Sequence, residues 1–313
     1  YAGSMSNISE FLDNDRVILL VADIRDPYAV NDAMKGIDIV VNFAAETHVD
    51  NSIADSKDFV TEYTDNVITI GASSLYFDKN LPANFSNYGK INVDIFAPGV
   101  DVYATIPKDQ YEPLSGTSMA APSATGSLAL LQHHYENLNG PGSYMRAATV
   151  KALVIETADE AGSNDGPDYE FGWGLMNTEK AALKISENQN LNVIDELVLN
   201  NGASFTRTVH SNGLEPVKVT ICWTELPGNP VSASLDPINP MLINDLDLRI
   251  TLADDTYYSW KLDRDNPGNA ATNNSENNVD NVELVYIAAP IAGDYTITVD
   301  HDGTLSGGSQ GFS

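Results

Sequence analysis

Gly116-Thr117-Ser118-Met119-Ala120-Ala121-Pro122 sets one hydroxyl directly after a glycine turn, at the start of a run of small residues. Acyl transfer needs this arrangement: an exposed hydroxyl, with backbone N–H groups aimed at the charge that develops on the attacked carbonyl. A helix N-terminus supplies such N–H groups. Gly116 permits close backbone approach, Thr117 is the expected N-cap, and Pro122 is expected within the tolerant first turn. From Met119 to Leu131 the sequence carries no charge, which predicts a helix buried on nearly every side. A helix cap in a packed core is the plain alternative for Ser118.

Working outward, Val67 to Ala72 and Val93 to Ala97 are short apolar runs, the second stopped by Pro98-Gly99. Thr149 to Thr157 carries apolar residues at helical spacing. Strands alternating with helices predict a parallel α/β sheet.

Five stretches in register carry a family resemblance: Asn66-Val-Ile-Thr-Ile-Gly-Ala72, Phe85-Ser-Asn-Tyr-Gly89, Val93-Asp-Ile-Phe-Ala-Pro-Gly99, the serine motif, and Phe171-Gly-Trp-Gly-Leu-Met-Asn177. From about Asp65 to Ser186 the chain resembles the last half of the catalytic domain of subtilisin-like serine proteases (peptidase S8 type). The resemblance implies a parallel sheet with helices on both faces, Ser118 as nucleophile, a polypeptide substrate and a secreted endopeptidase.

A serine hydroxyl is a weak nucleophile until a base takes its proton, and that base needs an orienting carboxylate. In the family the Asp and His lie upstream, and the His stands in a His-Gly-Thr-His setting that none of His48, His133, His134, His210 and His301 shares. His133 and His134 follow on the helix of Ser118, about 22 Å away at helical rise. His210 and His301 fall in a β-rich region and are expected at the surface. His48 precedes the serine within a different pattern, and Asn51 fits the family's oxyanion asparagine by position only. The chain is therefore expected to be nearly silent on its own.

The first sixty residues follow that other pattern. Val17-Ile-Leu-Leu-Val-Ala22 is a continuous apolar run, Pro27 to Met34 predicts a helix ended by Gly36, and Ile37 to Phe43 predicts a second strand. This is a β-α-β unit. Asp23-Ile-Arg-Asp26 and Val40-Val-Asn-Phe-Ala-Ala-Glu-Thr-His-Val-Asp-Asn-Ser-Ile53 resemble the dTDP-glucose 4,6-dehydratase type of the extended short-chain dehydrogenases. That resemblance implies NAD as cofactor, with Asp23 and Ile24 toward the adenine and Phe43, Ala44 and Ala45 lining the groove. No glycine fingerprint precedes the unit in this sequence. Tyr257 and Lys261 have the spacing of that family's catalytic pair but sit in a strand-and-turn stretch, and their spacing reads as coincidence. The join near Val60 to Asp65 has no proline-, glycine- or serine-rich linker, so the expectation is a fusion of two truncated domains, cut at both ends.

From about Asn192 onward, Phe205 to His210, Val217 to Trp223, Leu246 to Leu252, Val282 to Ile287 and Tyr295 to Val299 read as strands separated by turns. They predict an antiparallel β-sandwich or jelly roll. Val219-Thr-Ile-Cys-Trp223, Leu242-Ile-Asn-Asp-Leu-Asp-Leu248, Asn277-Asn-Val-Asp-Asn-Val282 and Pro290-Ile-Ala-Gly-Asp-Tyr-Thr-Ile297 resemble the β-domains appended to certain alkaline subtilases. The expected organisation is 1–62 as a Rossmann-like fragment, 63–190 as half a subtilase domain, and 191–313 as an accessory β-sandwich.

The chain has 44 acidic and 16 basic residues, a net charge of −28. A field of that sign repels phosphate backbones and disfavours nucleic-acid partners. Carboxylate oxygens suit calcium. Asp245, Asp247 and Asp280 are the candidate ligands among a wider group with Asp263, Asp265 and Asn277; solvated acidic turns are the alternative. Cys222 is the single cysteine, which excludes an intrachain disulfide, and its apolar setting predicts burial. No apolar stretch is long enough to span a membrane. Oligomeric state is not legible.

Overall fold

The computed structural model describes residues 68–74, 82–88, 93–191, 193–226, 228 and 241–313. All of these fall in one compact unit, His48–Ser313. The expected β-α-β unit, the join, Asp23, Ile24, Phe43, Ala44, Ala45, His48 and Asn51 lie outside the described residues.

Two short strands, β1 (Ile70–Ser73) and β2 (Ile95–Pro98), pair in parallel, with Ile70 opposite Ile95 and Ala72 opposite Ala97. The Phe171–Asn177 motif lines the other edge of β2: Phe96 N–H donates to Gly174 C=O at 2.8 Å, and Met176 N–H to Phe96 C=O at 2.9 Å. Its glycines are steric necessities. A Cβ on Gly172 would meet Val93 O at 2.3 Å, and one on Gly174 would meet Asp159 O at 2.2 Å, both at positive φ. An exposed hairpin follows, β3 (Val102–Ile106) against β4 (Gln110–Leu114), with Tyr103 and Tyr111 stacked at 5.7 Å.

Helix α1 (Thr117–Asn139) carries the serine motif. It is not buried on nearly every side: Ala120, Ala124, Leu131 and Gln132 are its buried residues, and Leu130 is 66% exposed. Small side chains here serve one close seam rather than all-round burial. Ala72, Ala83, Ala97, Ala120 and Ala124 form a core cluster that brings the helix onto the strands. Thr117 is the first helical residue and Gly116 the N-cap, with no side-chain capping bond, so the expected threonine cap is corrected. Pro122 lies beyond the first turn. Its missing N–H leaves the Ser118 carbonyl without the usual i+4 donor.

Helix α2 (Ala147–Glu156) overlaps the helix expected over 149–157, and eight of its ten residues are buried. Two stripes explain this. Val150, Leu153 and Val154 pack with Leu131 and with Ile185 of α3 (Thr178–Leu191). Ala148, Ala152 and Ile155 pack with Cys222, Val282 and Leu284 from the β-rich region. Lys151 is also buried there, paired with Asp94 at 3.1 Å.

The β-rich region contains β5 (Leu197–Asn200), β6 (Phe205–Ser211), β7 (Val217–Cys222), β8 (Leu246–Leu252), β9 (Asp255–Tyr258), β10 (Val282–Ile287), β11 (Gly293–His301) and β12 (Ser309–Phe312). Its sheets are β6-β11-β8-β9, β10-β7 and β12-β5, and every pairing is antiparallel. Trp223, Leu246, Leu248, Ile250, Tyr295 and Val299, each at most 1% exposed, sit in one shared core cluster. Strand β9 falls in the strand-and-turn stretch expected around Tyr257, whereas β5 and the β3–β4 hairpin were not expected from the sequence.

Candidate active site

Ser118 is the second residue of α1 and is exposed. The preceding turn is held where β1 and β2 end: Gly116 N–H donates to Gly99 C=O at 2.8 Å, and Gly99 N–H to Ser73 C=O at 3.3 Å. Asp101 N–H donates to Ser115 Oγ at 2.9 Å. Gly99 is required at this crossing. A Cβ there would come within 2.6 Å of Ala72 Cβ and 2.9 Å of Gly116 O. The result is a hydroxyl at a helix N-terminus beside the carboxyl ends of parallel strands, where open α/β sheets bind ligands. The Gly116 carbonyl accepts from Met119 N–H at 3.0 Å and from Ala120 N–H at 3.3 Å.

The structure brings no base to this hydroxyl among the described residues. His134 Nε2 lies 2.8 Å from Ser186 Oγ, tying α1 to α3 far along the helix, and the Ser186 hydroxyl also donates to Ala182 C=O at 3.1 Å. His133 is exposed on the same helix. His210 forms an exposed pair with Asp294 at 2.7 Å. His301 Nε2 accepts from Gly202 N–H at 2.7 Å. The His134–Ser186 contact was not foreseen, because nothing in the local pattern links residues 52 positions apart.

The three candidate calcium ligands do not form one site. Asp245 and Asp247 precede and enter β8, and Asp247 lies opposite Asp300 of β11. Asp247 is 1% exposed, and one of its carboxylate oxygens has no hydrogen-bond partner; the same holds for one oxygen of Asp245 and one of Glu283. Burial, then the charges of Asp245, Glu276, Asp302 and Asp300, push the Asp247 carboxyl up to about 7. Burial also raises Glu283 well above the usual carboxylate range. Arg249 pairs with Glu276 and Asp300 on this face. Asp280 belongs elsewhere. It accepts from Asn277 at 3.0 Å, and the charges acting on it are Arg264, Lys151 and Asp94. Among the described residues, no three acidic, histidine or cysteine side chains make a group fit to hold a metal. Asp263 caps its own turn, accepting from Asn266 N–H at 3.0 Å and the Asn269 side chain at 2.8 Å.

Tyr257 packs against the β core and against Tyr295, with ring centroids 6.5 Å apart. Lys261 instead donates to Ser275 and to the Glu276 carbonyl. No described helix is long and apolar enough to cross a membrane.

Comparison with known proteins adds an independent line. The sequence profile of the subtilase family matches residues 33–174, beginning upstream of Asp65. Subtilisin DY of Bacillus licheniformis is 38% identical over 118 residues, 38% of this chain and 38% of that protein. The low-salt glycan biosynthesis protein Agl12 of Haloferax volcanii is 27% identical over 171 residues, 54% of this chain and 48% of that protein. Among solved structures, the patellamide maturation protease PatA is 28% identical, covering 39% of this chain and 44% of that one, with a TM-score of 0.33. The chain spans less than half the length of each of these relatives. Over residues 33–174 this chain matches the subtilase family profile and is similar to the subtilisin-like serine proteases.

Proposed function

We propose that the chain carries the nucleophile portion of a secreted subtilisin-like endopeptidase, with Ser118 as the attacking residue and polypeptide as substrate. The observation that carries this is the exposed Ser118 hydroxyl on the first turn of α1, held by Gly99 and Gly116 at the ends of β1 and β2, within the span matched by the family profile. The chemistry is attack on a peptide carbonyl, an acyl-enzyme, and its hydrolysis by water, with helix N-terminal N–H groups facing the developing oxyanion. Residues 191–313 serve as an accessory β-sandwich packed onto α2.

With no imidazole in reach of it among the described residues, the hydroxyl stays protonated and the chain alone is nearly inert in this reading; losing the base costs several orders of magnitude in rate. A fluorophosphonate probe, which labels only an activated serine, tests both parts. The chain alone should not label. A hybrid supplying the Asp- and His-bearing portion of subtilisin DY ahead of residue 68 should label, and Ser118→Ala should abolish it. Labelling that survives Ser118→Ala rules out Ser118 as the nucleophile. Peptide hydrolysis by the unmodified chain, lost in Ser118→Ala, rules out inertness.

The match to a glycan-biosynthesis protein favours a second reading for part of the chain. Asp23, Ile24, Phe43, Ala44 and Ala45 would then be the remnant of an NAD site from a sugar-nucleotide enzyme, joined to the protease segment as a chimera. NAD titration followed by calorimetry checks it; the absence of heat at saturating cofactor leaves that remnant without a binding role.

A further inference from the structure

A cavity of about 600 Å³ lies between helix α2, the segment after α3, and strands β6 and β7. Its origin is topological. Strands β6 and β7 follow one another in the chain, yet β6 is the edge of the four-stranded sheet and β7 belongs to the two-stranded one. No strand pairing joins them, so the two sheets part along this line. The volume falls within the roughly 300–1,000 Å³ typical of small-molecule pockets.

The lining has a definite chemistry. Leu153, Phe205, Val209, Val219, Ile221 and Ile297 give it a mainly aliphatic wall that reaches the β core. At the rim Leu191 is 66% exposed, so the space meets solvent there. Its charged residues are Lys184, Arg207 and Lys218 against Glu156 and Asp195. Arg207 pairs with Asp195 and Lys184 lies 4.0 Å from Glu156, so Lys218 supplies the wall's excess of one positive charge in a chain whose net charge is −28. Lys218 donates to the Glu156 carbonyl, and burial lowers its affinity for the proton. A buried ammonium is stabilised by an anion brought beside it.

We propose that this cavity binds a single-chain amphiphile, with its aliphatic tail against β6, β7 and β11 and its anionic head at Lys218 and Lys184. An excess of one positive charge is too small for a polyphosphate. The site is independent of Ser118 and does not rest on the protease reading.

The test uses the full chain, with octanoate and octan-1-ol as matched probes. Calorimetry should show octanoate binding tighter than the alcohol by about tenfold, the factor expected for about 1.4 kcal/mol from one charge pairing. Lys218→Met should erase that difference while leaving the alcohol unaffected. Val219→Trp or Val209→Trp, each checked for folding by near-ultraviolet circular dichroism, should abolish binding of both probes. Methyl NMR on the unmodified protein localises the site whether or not those variants fold: octanoate-induced shifts should concentrate at Val209, Val219 and Ile297. The proposal is overturned if neither probe binds, if the two bind equally, if the shifts lie elsewhere, or if a folded tryptophan variant binds octanoate unchanged.

Discussion

Replacing Asp247 by asparagine should make the protein more stable in alkali than the unmodified chain. Asp247 is buried with one oxygen unpartnered, among Asp245 on its own segment, Asp300 and Asp302 from β11 and its extension, Glu276 from the overlying loop, and Glu283 from β10. Arg249, the cation bonded on this face, is engaged by Asp300 and Glu276. The folded carboxyl titrates at about 7, against 3.8 for the free group. Because the folded value is raised, the native state holds the extra proton. Stability is full below about pH 4 and falls as pH rises through about 7. The separation of about 3 units sets a ceiling of about 4 kcal/mol. Water reaching Asp245 and exposed Asp302 screens the repulsion, so about 2 kcal/mol is the expected recovery. Asparagine keeps the shape, and its amide can donate to the neighbouring carboxylates. Urea unfolding of both proteins, with a chelator present, at about pH 5 and about pH 8.5 reads the effect. The variant's advantage should be small at the lower pH and clearly larger at the higher. Equal stability differences at the two pH values would refute the reasoning, since an uncharged packing effect does not titrate.

Other expectations follow from single contacts. Lys151→Met leaves the half-buried Asp94 carboxylate its Thr69 N–H bond but not its ammonium partner and should cost about 3 kcal/mol by urea denaturation. Gly99→Ala drives a methyl into Ala72 and the Gly116 carbonyl; about 1–3 kcal/mol of destabilisation is expected in thermal melts. Ala253 has φ 51 in the β8–β9 turn, so Ala253→Gly should raise stability by about 1 kcal/mol, read as an upward shift in Tm.

Much of the framework was legible from residue pattern. The spans for β8 and β10 read from alternation coincide with those observed, and β6, β7 and β11 differ by a few residues at their ends. Their β-branched, half-buried patterns mark a strand without reference to distant contacts. Strand β5 escaped because Leu197–Asn200 is only four residues long, too short to show alternation, and it is fixed as a strand by pairing with β12. The serine turn was legible because glycine and small residues are local requirements. How far α1 is buried was not, because burial depends on what packs against each face: its alanines reach the sheet at 120 and 124 while Leu130 faces outward.

The sequence by itself determined the exposed serine at a helix start, the alternation of strand and helix around it, the strand-rich C-terminal third, and the strong negative charge. These are set by short-range spacing and by composition. Tertiary structure alone decided that α2 is a core element shared by two packing faces, that Asp247 and Asp280 belong to different surroundings, and that a cavity opens between β6 and β7. Each of these depends on which distant segments meet, and contact between residues tens of positions apart leaves no mark in local periodicity.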